Sequence, residues 1–100
     1  LKEPNQDFFS NHWLTAILVD EKIAGFNREE LRLKLTENDI ESRPLWKPMH
    51  LQPVFANSPY YEGNVAETLF NDGLCLPSGS NLTTEDRERI SRVIKSVISK

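Results

Sequence analysis

Gly73-Leu74-Cys75-Leu76-Pro77-Ser78-Gly79-Ser80-Asn81-Leu82-Thr83, followed by a run to Ile98 in which Ile90, Val93, Ile94, Val97 and Ile98 recur, is the stretch on which the fold turns. Leu74 to Pro77 is a short apolar run between a glycine and a Ser-Gly-Ser turn, the pattern of a short buried strand. Thr83 is a good helix N-cap, and Glu85 and Asp86 place negative charge in the first turn, where the helix dipole favours it. The five later residues follow the i, i+3, i+4, i+7, i+8 rule, which puts them on one buried stripe. Lys95 and Lys100 lie near the favourable C-terminal end of that helix. A strand that turns directly into a one-sided helix needs a sheet beneath the stripe, which points to an α+β layer.

Upstream, Asn64 is placed to cap a short helix through Phe70, with Glu67 at its third position and Gly73 at its end. Residues 47–61 contain Pro48, Pro53 and Pro59, so this stretch reads as a loop or a broken helix. It is long for a connection inside a compact domain, and long loops often carry function. Ile40 to Trp46 reads as a strand stopped by Pro44 or Pro48. Asn27 and Glu30 have the spacing of a capping box, with Phe26 and Leu31 as its hydrophobic staple. Leu31 and Leu35 share a face, and Asn38 suits the left-handed position that ends such a helix. His12 to Asp20 reads as a strand, and its nearly continuous apolar character implies a central position covered on both faces. Residues 1–10 form a lead-in. The expected order is strand, helix, strand, loop, helix, strand, helix. It describes one α+β domain over residues 1–100, with a small antiparallel or mixed sheet of about three strands and three helices packed on it.

Composition sets the outer limits. The 100 residues are 38% hydrophobic and 27% charged, with a net charge of −3, ordinary values for one globular domain. No basic stripe invites nucleic acid. No apolar run approaches the roughly 20 residues that span a bilayer. The polar start is no signal peptide. The absence of an initiator methionine suggests that the chain begins within a longer protein. The single cysteine, Cys75, lies between two leucines and is expected to be a buried structural thiol, consistent with a reducing, cytoplasmic setting. Asn81-Leu82-Thr83 matches a glycosylation sequon, which without a secretory signal reads as chance.

Few residues carry candidate chemistry. His12 and His50 are far apart and no Cys/His pair has ligand spacing, so no metal site is expected. His12 reads as structural or incidental. Cys75 reads as core rather than as a nucleophile. Ser78-Gly79-Ser80 lacks the lysine and spacing of a phosphate-binding loop and reads as a turn. The stretch Arg43-Pro44-Leu45-Trp46-Lys47-Pro48-Met49-His50-Leu51-Gln52 is denser. It has two readings of equal weight: a solvated loop anchored by its indole, or an anion-binding rim. In the second, Arg43 and Lys47 face phosphate or carboxylate, His50 and Gln52 hydrogen-bond, and Trp46 forms a wall.

Glu41 to Phe55, with its Arg43-Pro44-Leu45-Trp46-Lys47-Pro48-Met49-His50 core, resembles the stretch near the C-terminus of the DegT/DnrJ/EryC1/StrS aminotransferases. Ala66-Glu67, followed by Gly73 to Thr83, resembles that family's closing strand, turn and final helix start. Asn11-His12-Trp13-Leu14 resembles the start of its small-domain strand. The likeness spans nearly the whole chain in the right order.

The resemblance implies the small domain of the aspartate-aminotransferase type fold, with pyridoxal phosphate as the cofactor of the full-length parent. It implies a homodimeric parent that moves an amino group from glutamate to a nucleotide-linked keto-sugar. The branch implied is one acting on UDP-linked 4-keto-6-deoxy-N-acetylhexosamines in surface-polysaccharide biosynthesis. The catalytic lysine is expected in a large domain absent from this chain, so the chain alone is expected to be inactive, to bind no cofactor and to hold no catalytic residue. Its own contribution is expected to be cleft-lining: His50 foremost, then Arg43 and Lys47 for an anionic end of the substrate, with Trp46 as cleft wall or core. The rival class is a stand-alone binding or structural interaction module without catalysis.

Overall fold

The computed structural model describes residues 7, 9, 11, 13–61 and 63–98. Three strands and four α-helices follow one another as β1 (Thr15–Leu18), α1 (Glu21–Ala24), α2 (Arg28–Glu37), β2 (Arg43–Pro44), α3 (Val65–Asp72), β3 (Gly73–Leu76) and α4 (Thr84–Ile98). Two single-turn 3₁₀ segments, Met49–Leu51 and Pro53–Phe55, sit between β2 and α3. The sheet order is β1-β3-β2, antiparallel throughout, so the α+β layer expected from the sequence is the observed architecture.

The last strand in sequence is the central one. Leu74 lies opposite Ile17 on one side and Pro44 on the other. It is fully buried, and Ile17 and Leu76 pack against the same core. Side chains alternate across a strand, so Gly73 and Cys75 belong to the opposite face with Ala16 and Leu18. Two expectations are corrected here. β1 is an edge strand open on one face, with Leu18 61% exposed, not a central strand covered on both faces. Cys75 is half-buried, not enclosed. Of the expected β1 start, His12 lies outside the described residues, and Trp13 and Leu14 precede the ladder.

The second strand is far shorter than Ile40–Trp46. Pro44 has no N–H to donate, so the ladder to β3 ends there, as prolines do on sheet edges. Ile40 turns instead into the core.

Helix α2 starts as its sequence requires. The Asn27 side chain accepts from Glu30 N–H at 2.9 Å, and Glu30 accepts from Asn27 N–H at 3.2 Å. Phe26, Leu31 and Leu35 are all buried. Its left-handed end is Asp39 (φ 57°) rather than Asn38. Asn38 keeps its side chain for the Lys34 carbonyl at 2.9 Å, and its own carbonyl accepts from Arg89 of α4. A further single-turn helix, α1, is capped by Asp20 and closed by Gly25 at φ 81°.

Helix α4 opens with a reciprocal cap. Thr83 Oγ1 accepts from Asp86 N–H at 3.1 Å, and Asp86 accepts from Thr83 N–H at 2.9 Å. The Thr83 donors hold the Asp86 carboxyl below its ordinary value. Val93 and Val97 are buried in one core with Leu31 and Leu35 of α2 and Leu74 of β3, and Ile90 and Ile94 pack at its margin. Ile98, expected on the stripe, is 62% exposed in the last turn. Helix α3 runs to Asp72, two residues past Phe70, and passes into β3 with no intervening loop. Arg28 braces that junction: Nε donates to the Asn71 carbonyl at 3.3 Å, and the guanidinium lies 5.3 Å from the Phe70 ring centroid. No helix among the described residues is long and apolar enough to cross a membrane.

Candidate functional site

Of the four sequence-predicted site residues, Arg43 lies in β2 and Trp46, Lys47 and His50 in the segment that leads from it to α3, and the structure does not gather them. Pro48 is buried and fixes the entry to the first 3₁₀ turn. Gln52 Nε2 donates to the Lys47 carbonyl at 3.1 Å and closes that turn on itself. Gln52 therefore braces the loop.

His50 is the most enclosed of the four, its side chain 21% exposed. Its ring stacks on Tyr60, with centroids 4.1 Å apart and planes inclined by 24°. Nε2 lies 3.7 Å from Glu67 Oε2 on α3, an ion pair whenever the imidazole is protonated. Tyr60 is itself held, because its hydroxyl donates to the Gly63 carbonyl just before α3. His50 and Tyr60 line a cleft of ≈ 340 Å³ with Met49, Phe55, Ser58 and Tyr61. The cleft is aromatic, with an imidazole among its polar groups, a composition that suits an organic ligand with a few directional contacts.

Arg43 lies in β2 and lines a different cleft of ≈ 380 Å³, together with Ser42, Cys75, Ser78 and Asn81. Its guanidinium is taken up by Glu41, at 2.6 Å from Nη2 and 2.8 Å from Nε. Both partners are largely exposed, so the pair is weak and an incoming anion can displace it. Ser78 and Gly79 line the same cleft between β3 and α4, without the lysine that a phosphate loop uses. Lys47 is exposed, and Trp46, at 68% exposure, is not core.

Sequence reasoning missed the partners of His50. Tyr60 and Glu67 stand 10 and 17 positions downstream, and only the path of the loop brings them back. Glu67 was legible as a helix first-turn acid, a role that needs no partner across the loop.

The described lysines lie away from the His50 cleft. Lys34 pairs with Glu37 at 3.2 Å on the surface, and Lys22, Lys47 and Lys95 are exposed. None of the four borders the His50 cleft.

Comparison with known proteins gives a consistent family. The model of the DegT/DnrJ/EryC1/StrS aminotransferase family matches residues 2–97. The chain is 43% identical over 89 residues to the Bacillus subtilis (strain 168) protein named "Putative pyridoxal phosphate-dependent aminotransferase EpsN", covering 85% of this chain and 22% of that protein. It is 35% identical over 81 residues to GDP-perosamine synthase of Escherichia coli O157:H7, covering 81% of this chain and 21% of that one. Among solved structures, a DegT DnrJ EryC1 StrS aminotransferase from Brucella abortus superposes with a TM-score of 0.73 at 28% identity, over 87% of this chain and 22% of that chain. The chain thus spans about a fifth of the length of the relatives it matches.

Proposed function

The chain belongs to the DegT/DnrJ/EryC1/StrS aminotransferase family, and from that premise we propose that it is the C-terminal small domain of a pyridoxal-phosphate-dependent nucleotide-sugar aminotransferase. The observation that carries the reading is one of proportion. The three-stranded sheet and its helices match most of this chain to 22% of an aminotransferase chain. On this reading the catalytic lysine lies in a separate large domain, the parent is a homodimer, and the amino group moves from glutamate to a keto group on a nucleotide-linked sugar.

When bound, pyridoxal phosphate supplies the electron sink for this chemistry, and the protein supplies binding and orientation. The part of this chain is to wall the cleft. His50, held between Tyr60 and Glu67, orients the sugar or its diphosphate through a ring that can donate or accept a hydrogen bond. Arg43 exchanges Glu41 for an anionic end of the substrate, with Lys47 as an exposed second cation. Trp46 offers its exposed indole as wall. The substrate proposed first is a UDP-linked 4-keto-6-deoxy-N-acetylhexosamine. Relatives named as GDP-perosamine synthases make a GDP-linked keto-sugar the necessary competitor.

The test is amino transfer by the full-length parent, with glutamate as donor and a panel of UDP- and GDP-linked keto-sugars as acceptors. An aminated nucleotide sugar, identified by mass, is the expected product. A parent that aminates none of them, yet binds one tightly, would identify a binding module instead.

A further inference from the structure

Three features of the His50 surroundings stand together. The imidazole is stacked on Tyr60, and that tyrosine is tethered at its far end to the Gly63 carbonyl. A carboxylate from a separate element, Glu67 of α3, stands 3.7 Å from Nε2. Among the described residues, the side-chain partners of the ring are Tyr60 and Glu67, and neither meets Nδ1 in a hydrogen bond. With one face stacked on an aromatic and a carboxylate 3.7 Å from Nε2, the ring's other nitrogen, Nδ1, is the one without a partner among the described residues.

From this arrangement we propose that Glu67 is a positioning residue that acts through His50: its carboxylate holds the Nε2 edge, so that Nδ1 is presented to the sugar nucleotide. This rests on the proposed role of His50 and deepens it. Tyr60 completes the clamp by limiting ring rotation, because a stacked pair prefers a narrow set of angles. Glu67 has no other ion-pair partner among the described residues, and its side chain is 44% exposed. Removing its charge therefore leaves the core intact. The neighbouring groups on the loop side are Met49, Phe55 and Tyr61, none of which carries a charge that could substitute.

The experiment uses the full-length parent and measures its two half-reactions separately, amino transfer from glutamate and amino transfer to the keto-sugar. Glu67→Gln should lower kcat/KM for the sugar half-reaction about three- to tenfold, the effect of losing one polar contact of ordinary net strength. The glutamate half-reaction, the melting temperature and cofactor loading should stay within twofold or within a degree of the parent's values. The double variant Glu67→Gln/His50→Ala should be no slower than His50→Ala alone, since a residue that acts through the imidazole has nothing to position once the ring is gone.

The outcomes separate cleanly. If His50→Ala itself leaves the sugar half-reaction unchanged, the reading of His50 fails and the Glu67 role falls with it. If His50→Ala is slow but Glu67→Gln is as fast as the parent, only the positioning role is overturned. Additive losses in the double variant, or equal losses in both half-reactions, also overturn it. Should Glu67→Gln fold poorly, Tyr60→Leu tests the same clamp from its other side and should show the same selective loss.

Discussion

Replacing Gly73 by alanine adds one methyl group at the junction where α3 becomes β3. The backbone there has φ −92° and ψ 144°, which any residue adopts, so alanine introduces no strain of its own. What it meets is packing: a Cβ at this position overlaps the Leu45 Cδ1 methyl and the Leu69 backbone carbonyl oxygen. The leucine can rotate away, but the carbonyl belongs to α3 and cannot move without the helix. Overpacking of this kind costs about 1–3 kcal/mol. The loss of unfolded-chain freedom on going from glycine to alanine returns about 0.4–1 kcal/mol. An overlap with fixed backbone belongs at the upper end of that cost, about 2–3 kcal/mol, so the net expectation is a destabilisation of about 1–2.6 kcal/mol, or roughly 4–20 °C in Tm for a domain of this size. Urea unfolding followed by far-UV circular dichroism measures it directly. Combining Gly73→Ala with Leu45→Ala should cost less than the sum of the two single changes, because removing the leucine removes one of the two overlaps. If Gly73→Ala is neutral or stabilising, Leu45 does not pack over β3.

Other outcomes follow from the same structure. Val97 is 3% exposed and Ile98 62%, so Val97→Ala should cost about 1–3 kcal/mol while Ile98→Ala stays within about 0.5 kcal/mol, a contrast that denaturant midpoints resolve. Asp86 has its carboxyl held below the ordinary aspartate value by the Thr83 donors. The α4 cap therefore contributes fully above that ordinary value and is lost as pH falls through the lower folded value. Asp86→Asn should flatten this acid limb of the stability profile. In the full-length parent, His50→Ala should lower kcat/KM at least about tenfold, or about 1.4 kcal/mol, with cofactor loading and Tm nearly unchanged. A fall in stability of matching size would make His50 structural.

Much of this fold is legible in the sequence because its decisive signals are local. The capping box at Asn27 and Glu30, the Thr83 cap and the 3.6-residue period of Val93 and Val97 each act within a few residues. What the sequence hides depends on neighbours far along the chain. Trp13 to Val19 is apolar on both faces, so its two-residue alternation disappears, and nothing in it says that one face of β1 is open. Strand order has the same origin. β3 is central only because β1 and β2 both pair with it, and a four-residue run cannot announce two partners. The Asn38–Asp39 displacement arises because the Asn38 amide binds the Lys34 carbonyl and passes the left-handed turn to its neighbour. At the candidate site, composition singled out residues 43–52, but the pairing of His50 with Tyr60 and Glu67 depends on the course of the intervening loop. Proximity in sequence groups Arg43 with His50, whereas β2 directs it to another cleft beside Glu41.

The central claim, that this chain is the small domain of a two-domain aminotransferase, is tested most directly by locating the cofactor lysine. The full-length parent and the 100-residue chain are each incubated with pyridoxal phosphate, reduced with borohydride and mapped by peptide mass. The account predicts one stoichiometric pyridoxyl-lysine in the parent, at a position outside these residues, and no stoichiometric labelling of the chain alone. Stoichiometric labelling of Lys34, Lys47 or any other single lysine within this chain would contradict it.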